Sequence, residues 1–180
     1  MSLAILQPVL IPDLHDIAIM KAADTVVLQD CETWSRKGRT HRAVIRTPDG
    51  TDYLNVPVKS DDKKKEIRHV RINQDENWID PILRSLKFNY SNSVYYDFYE
   101  PEIRADIETG HNFEYLLDFS LFLKKRLFQF LELEIPAEIH FSSGMEEYTS
   151  DPDKLADKLG ADLYYQEHDA LRLSQCLKMS

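Results

Sequence analysis

A strand–helix–strand pattern in the first 30 residues constrains the fold most. The apolar run AILQP at 4–8 ends at a proline, and TVVLQ at 25–29 is apolar and rich in β-branched residues, so both predict buried strands. Between them, Asp13 followed by Asp16 predicts a helix that starts with a capping box. A strand, a helix and a second strand in so short a stretch predict a βαβ unit with parallel strands.

The next segment predicts an antiparallel hairpin. HRAVIRT and TDYLNVPV flank Pro48-Asp49-Gly50, a turn sequence in which proline presets φ and glycine accepts a positive φ. Further elements are predicted downstream: strand IRHVRI at 67–72, helices from about 75 and over 111–132, strand AEIHF, a helix from Asp151 to Leu159, strand DLYYQ and a helix from about 168. This alternation predicts class α/β: a layered mixed sheet with an early antiparallel hairpin and helices packed on it.

Length and composition predict a single domain over residues 1–180. Apolar residues make up 43% of the chain, which is enough to bury a core. Cys31 and Cys176 lie far apart and neither belongs to a zinc-type spacing. We therefore predict no metal site, no disulfide framework and a reducing compartment.

Two segments bear on localisation. The N-terminal MSLAILQPVLIP has no basic region and no long apolar run, which argues against a signal peptide. The most apolar stretch, 113–131, contains five charged residues that a membrane span would not carry near its middle: Glu114, Asp118, Lys124, Lys125 and Arg126. We therefore expect a cytoplasmic protein without a membrane partner.

Charge is distributed unevenly along the chain. The whole chain has a net charge of -9, yet residues 36–71 hold eleven Lys and Arg against five acids, a local net charge of +6. A basic segment in an acidic chain predicts an anionic ligand, although a solvated hairpin with ordinary surface lysines would have the same composition. The acidic remainder would repel a long phosphate backbone, so we expect a small anion and no nucleic acid.

Polar side chains follow the first two predicted strands. Gln7 comes after the first strand, and Asp30 and Glu32 come after the second. Ligands of α/β sheets bind at the carboxyl ends of the strands, where Gln7 could hydrogen-bond a polar ligand or the loop backbone. The two acids could serve as a base, a metal ligand or an acceptor for sugar hydroxyls. Alternatively, they cap a turn and pair with the neighbouring arginines.

The basic segment opens with a cluster of arginines. Arg36, Arg39 and Arg42 follow the second strand closely, and the planar guanidinium fork suits phosphate. His41 titrates near neutrality and is a candidate proton acceptor, although an isolated histidine is often structural. Ser142-Ser143-Gly144 could bind an anion through backbone amides. No glycine-rich phosphate loop, nucleophile elbow or zinc-protease motif occurs, and no cofactor is indicated.

An ordered set of residues over 3–145 resembles the WbqC-like family. The set comprises Gln7-Pro8 with Pro12, Ala22-Ala23-Asp24 followed by VVLQD, Glu32, Trp34 and Arg36, the basic run ending in Arg42, Ile45, LNVPV at 54–58, Ile72, Trp78, SVYYDFY at 93–99 and Asn112. The resemblance implies a cytoplasmic bacterial enzyme encoded with surface-polysaccharide and O-antigen genes. It also implies action on activated sugars by acyl or aminoacyl transfer.

These observations lead to a first hypothesis, a transferase that acts on a nucleotide-linked sugar. In it, Gln7, Glu32 and the three arginines bind the substrate, while His41 and Asp30 are catalytic. One alternative is a non-catalytic accessory protein of the same pathway, in which Tyr95, Tyr96, Phe98 and Tyr99 form either a partner surface or core. A nucleotidyltransferase-like enzyme is another alternative. The sequence does not indicate an oligomeric state.

Overall fold

The computed structural model describes residues 1–134 and 138–166. These residues form six strands and five α-helices. In chain order they are β1 (Ser2–Leu6), α1 (Leu14–Ala22), β2 (Thr25–Leu28), β3 (Arg42–Thr47), β4 (Gly50–Asn55), α2 (Ile79–Tyr90), α3 (Tyr96–Glu108), α4 (Leu116–Phe130), β5 (Glu138–Phe141), α5 (Pro152–Leu159) and β6 (Leu163–Tyr165). None of the described helices is long and apolar enough to cross a membrane.

The chain divides into two compact units. The sheet unit comprises Met1–Pro8, Pro12–Glu32 and the described residues from Phe128 onward. The hairpin unit comprises Val9–Ile11 and Thr33–Leu127. The class α/β with an early antiparallel hairpin, predicted from the sequence, is confirmed, and each unit contributes one of the two sheets.

The sheet unit contains a four-stranded parallel sheet in the order β5-β2-β1-β6. β1 pairs with β2 in parallel, which confirms the predicted βαβ unit. Leu3, Ala4, Val26 and Val27 are fully buried, as expected for strands covered on both faces. Leu28 pairs with Leu6 and with Phe141, so three strands end at the same level.

Capping residues set the helix ends in the sheet unit. The Asp13 carboxylate accepts from the amides of His15 and Asp16, and the Asp16 carboxylate accepts from the Asp13 amide, which confirms the predicted capping box. Asp151 caps α5, and Gly160 ends it at a φ of 65°. Leu155 of α5 then packs in one cluster with Leu3, Ile5 and Val27.

The hairpin unit contains the antiparallel pair β3–β4. Thr47 pairs with Gly50 at the turn, and Arg42 pairs with Asn55 at the open end. Gly50 has a φ of 145°, a conformation that a residue with a Cβ rarely adopts. The hairpin is a separate two-stranded sheet, so the parallel and antiparallel pairings that the sequence predicted in one mixed sheet occur in two.

Long-range backbone pairing shifts two predicted elements of the hairpin unit. The helix predicted over 111–132 begins only at Leu116, because the Leu116 amide donates to Val70 and the Glu114 carbonyl accepts from Ile72. The strand predicted at 67–72 is a single 3₁₀ turn followed by isolated bridges. Pro136, the predicted helix from 168 and Cys176 lie outside the described residues.

A tight corner precedes α4. Gly110 lies so close to the Trp78 indole that a Cβ at position 110 would overlap the ring, and it would also lie 3.0 Å from Cζ of Phe119. Gln74 Nε2 donates to the carbonyls of Gly110 and Phe113 at 2.9 and 3.0 Å, which holds the corner in place.

Candidate functional site

The carboxyl edge of the parallel sheet gathers polar residues from three strands. Because β1, β2 and β5 end at the same level, Gln7, Asp30 and Ser142 follow strands at one edge. The chain runs from β1 to β2 and to β5 beyond it, then returns to the other side of β1 as β6. Such a reversal of direction marks the place where open α/β sheets bind ligands. Gln7 is exposed there.

Asp30 is the most constrained acid of this edge. Its carboxyl is 2% exposed. Oδ1 accepts from Ser142 Oγ at 2.8 Å and from the Ser143 amide at 2.9 Å, and Oδ2 accepts from Ser143 Oγ at 2.6 Å. Burial alone would raise the pKa of Asp30, but the hydrogen bonds from Ser143 and Ser142 outweigh it and lower the pKa. Asp30 is therefore ionised at neutral pH and fixed by neutral donors.

Glu32 belongs to a second hydrogen-bonded group at the same edge. The Tyr148 hydroxyl donates to Glu32 Oε1 at 2.9 Å and accepts from Gln29 Nε2 at 2.9 Å. Burial and the neighbouring Glu32 raise the pKa of Tyr148 to about 12. Tyr148 thus stays a phenol at neutral pH and holds the Glu32 carboxylate in one position.

The basic loop, residues 34–42, is built around Arg42 in the hairpin unit. Arg42 Nε donates to the Gly38 carbonyl at 3.1 Å, and its Nη2 donates to the Lys37 carbonyl. Its guanidinium also lies 4.5 Å from the centre of the Tyr53 ring. Arg42 therefore closes the loop, which leaves fewer of its N–H groups for a ligand. Arg36 is exposed and Arg39 is half-buried.

Within the basic loop, the half-buried His41 packs against the buried Trp34. Their ring centres lie 5.0 Å apart, and Trp34 is 5% exposed. Within residues 1–134 and 138–166, neither Trp34 Nε1 nor His41 Nδ1 has a hydrogen-bond partner, an unusual state for buried polar atoms. Burial, and then the charges of Arg42 and Arg36, lower the pKa of His41. The imidazole is therefore neutral at neutral pH and able to accept a proton.

Each unit thus brings together part of the predicted set. Gln7, Asp30 and Glu32 follow strands of the sheet unit, and Arg36, Arg39, His41 and Arg42 share the basic loop. Three partners of the acids, Ser142, Ser143 and Tyr148, were not assigned these roles from the sequence. The signal for Ser143 was its place directly after a strand, but its amide donates to Asp30 rather than to a ligand.

Comparison with known proteins identifies one relationship. Residues 7–176 match the sequence model of the WbqC-like protein family, a range that contains every predicted site residue. This confirms the resemblance drawn from the sequence and extends it past residue 145, so that Tyr148 is included. No curated protein and no solved structure matches the chain.

Proposed function

The chain belongs to the WbqC-like protein family, and we propose that it is a transferase acting on an activated, nucleotide-linked sugar in the biosynthesis of a bacterial surface polysaccharide. The reaction is acyl or aminoacyl transfer. The observation that carries this proposal is the set of fixed polar groups at the carboxyl edge of the parallel sheet, above all Asp30 with Ser143.

At the sheet edge, Ser143 and Gln7 are the groups offered to sugar hydroxyls. Both side chains are exposed. The Ser143 hydroxyl proton is directed to Asp30 at 2.6 Å, so its oxygen is left to accept a hydrogen bond from a sugar hydroxyl. Asp30 orients the Ser143 hydroxyl and does not itself contact the sugar. Tyr148 holds the Glu32 carboxylate in place as a second hydrogen-bond acceptor.

In the hairpin unit, the basic loop carries the candidate phosphate-binding and proton-accepting groups. Arg36 is exposed and binds phosphate oxygens. Neutral His41 takes the proton of the acceptor hydroxyl or amine as that group attacks the carbonyl of an activated acyl donor. The bond from the acyl carbon to the donor's leaving group then breaks, and the leaving group departs with the bonding electron pair and takes the proton back from the imidazolium. A bound phosphate also offsets the repulsion between the arginines and the imidazolium that forms.

A binding experiment tests the proposal. Nucleoside diphosphate sugars are titrated into the protein, and melting temperature and heat are recorded for wild type, Ser143→Ala and Arg36→Gln. At least one sugar nucleotide raises the melting temperature, and each variant weakens its binding. A neutral hydrogen bond such as that of Ser143 typically contributes about 0.5–1.5 kcal/mol, and one to a charged group about 1.5–3 kcal/mol.

Ser60→Ala and Lys63→Gln are the matched controls, because both side chains are exposed and the Ser60 hydroxyl donates to its neighbour Asp61. These controls leave binding unchanged. Absence of any response to sugar nucleotides, or variants that bind as well as wild type, would contradict the proposal. Consumption of a nucleoside triphosphate with Mg²⁺ would favour nucleotidyl transfer instead.

A non-catalytic accessory role is the second candidate, favoured by one observation. Tyr95 is 68% exposed and Phe98 is 72% exposed, so these aromatics are on the surface of the hairpin unit, whereas Tyr96 is half-buried. Recovery of a stoichiometric protein partner, with no response to sugar nucleotides, would support this role over the transferase.

A further inference from the structure

An apolar cavity lies among α2, α3 and β3 of the hairpin unit. Its volume is about 300 Å³, and its walls are mainly aliphatic side chains and tyrosines, including Leu83, Leu86, Ile103 and Tyr96. This volume is at the small end of the range found for ligand pockets, which are mostly apolar with a few polar groups. The cavity shares no residue with the proposed transferase site.

A second, polar cavity adjoins the first. It has a volume of about 330 Å³ and is lined by Asp80, Leu83, Arg84, Lys87 and Arg104. Leu83 and Arg104 line both cavities, so the two cavities adjoin at these side chains. Three of the five lining residues are cationic and one is anionic.

The charges around the polar cavity are unevenly paired. Arg104 Nε donates to Glu100 at 2.8 Å, and Asp80 accepts from Asn77 at 2.9 Å. Arg84 and Lys87 are exposed, and neither forms an ion pair with any other residue in the described part of the chain. Among the described residues, Arg84 and Lys87 therefore have no ion-pair partner, and Asp80 is the one anion that lines this cavity with them.

The spacing of residues on α2 explains why the two linings meet. Leu83 and Leu86 are three positions apart and lie on one stripe, and Arg84 and Lys87 lie on the stripe beside it. The apolar wall and the cationic edge are thus parts of one helix surface. An apolar group in the first cavity and an anionic group in the second can belong to one short molecule.

We propose that these adjoining cavities bind a single-chain amphiphile, with its apolar tail among the tyrosines and its carboxylate or phosphate head at Arg84 and Lys87. An uncharged apolar molecule would leave the cations uncompensated, and inorganic phosphate would leave the apolar cavity empty. Tyr90, which lines the tail cavity, already accepts from the Arg46 amide at 3.1 Å. The surface of this cavity is mainly apolar, which favours a hydrocarbon chain over a sugar or a base.

Calorimetry with four probes tests this assignment. Decanoate and decyl phosphate carry both halves of the ligand, decanol carries only the tail and inorganic phosphate only the head. All are used below their micelle-forming concentrations. Both amphiphiles bind, and decanol and phosphate bind at least about tenfold more weakly, since a factor of ten corresponds to only about 1.4 kcal/mol.

Two variants locate the head group. Arg84→Gln/Lys87→Gln weakens decanoate and decyl phosphate about tenfold, as expected for two partly exposed charges, and leaves decanol unchanged. The control Lys63→Gln/Lys64→Gln removes two exposed charges of the same unit from positions that line neither cavity. It binds all four probes as wild type does.

Three outcomes overturn the proposal. Phosphate could bind as tightly as decyl phosphate, or Arg84→Gln/Lys87→Gln could bind decanoate as wild type does. The third outcome is binding to anionic lipid vesicles without binding of either monomeric amphiphile. That result would assign this face to a membrane surface, since Phe88 and Val94 are 83% and 89% exposed nearby on the chain. Because this site stands apart from the sugar-nucleotide proposal, each can fail alone.

Discussion

Asp30 and Asp62 are two buried carboxylates that the protein stabilises in opposite ways. Asp30, in the sheet unit, is 2% exposed, and Asp62, in the hairpin unit, is 0% exposed. Both have a lowered pKa. Asp30 receives hydrogen bonds from neutral serine groups, whereas Asp62 receives them from two cations.

The cations around Asp62 explain its larger shift. Arg71 donates from its amide, from Nε and from Nη2 at 2.9, 2.9 and 3.0 Å, and Lys65 Nζ lies 2.6 Å away. The Arg71 hydrogen bonds, with Lys65, hold the pKa of Asp62 far below its usual range in spite of burial. They also tie together the loop that contains residues 62, 65 and 71.

The difference separates a structural acid from a candidate functional one. The charge of Asp62 is compensated within the loop, because Arg71 and Lys65 are both paired with it directly. Asp30 keeps its negative charge, because hydroxyl and amide donors carry none. That charge acts on Ser143, whose hydroxyl points to it.

The largest expected effect is that of Asp62→Asn. The substitution leaves Arg71 and Lys65 without their anion, and breaking a buried ion pair in this way costs about 3 kcal/mol of unfolding free energy. Urea denaturation followed by circular dichroism measures the loss. Asp61→Asn is the matched control, since Asp61 is exposed and adjacent. Equal stabilities for the two variants would remove the structural role assigned to Asp62.

Asp30→Asn is expected to destabilise less, by about 1–2 kcal/mol, because an amide oxygen in the place of Oδ1 still accepts two of the three hydrogen bonds. Asp157→Asn, at an exposed position of α5, serves as control. The comparison predicts that this variant loses sugar-nucleotide binding more than stability, whereas Asp62→Asn loses stability only. If folded Asp30→Asn bound sugar nucleotides as wild type does, Asp30 would have only a structural role, as Asp62 has.

Acid titration sharpens the contrast. Both carboxyls have native pKa values below their ordinary 3.8, so between those values the unfolded chain binds more protons than the native protein. Their stabilisation is present above about pH 4 and declines as the pH falls toward the native pKa. In Asp62→Asn, the free energy of unfolding falls less between pH 4 and pH 2 than in wild type, by on the order of 1–2 kcal/mol. If the unfolding free energy of that variant fell with pH as steeply as that of wild type, Asp62 would not be the group that causes the loss of stability in acid.

Lys65→Gln is expected to have the smallest effect, less than about 1 kcal/mol, because the Lys65 side chain is 44% exposed and water screens its charge. Arg71 remains as the partner of Asp62. The melting temperature of this variant is compared with that of Lys64→Gln, since Lys64 is also exposed. A loss as large as that of Asp62→Asn would mean that Lys65, not Arg71, is the main partner.

Local signals in the sequence predicted much of the fold. The capping box of Asp13 and Asp16, the turn at Pro48-Asp49-Gly50 and the strand–helix–strand pattern all depend on residues within a few positions of one another. The start of α4 could not be found in this way. It depends on backbone pairing with Val70 and Ile72, more than 40 residues earlier.

The candidate site was predictable to a similar extent. Gln7, Asp30 and Glu32 were predicted because each follows a predicted strand. The basic loop was predicted from its cluster of positive charges. The roles of these residues stay predictions. The partners that fix the acids are more than 100 positions away, with separations of 112 for Ser142 and 116 for Tyr148. Nor did the sequence distinguish Asp62 from Asp61 beside it, because only the folded loop brings Arg71 to one of them.

The contact between Gly110 and Trp78 has a consequence for how variants of this chain should be interpreted. The indole occupies the space of any side chain at 110, so a saturation library screened for folded protein is dominated there by one residue. At Gly144 no described heavy atom lies within 4 Å of a built Cβ. Tolerance at 144 alongside intolerance at 110 would identify packing, rather than backbone conformation, as the reason that glycine is kept.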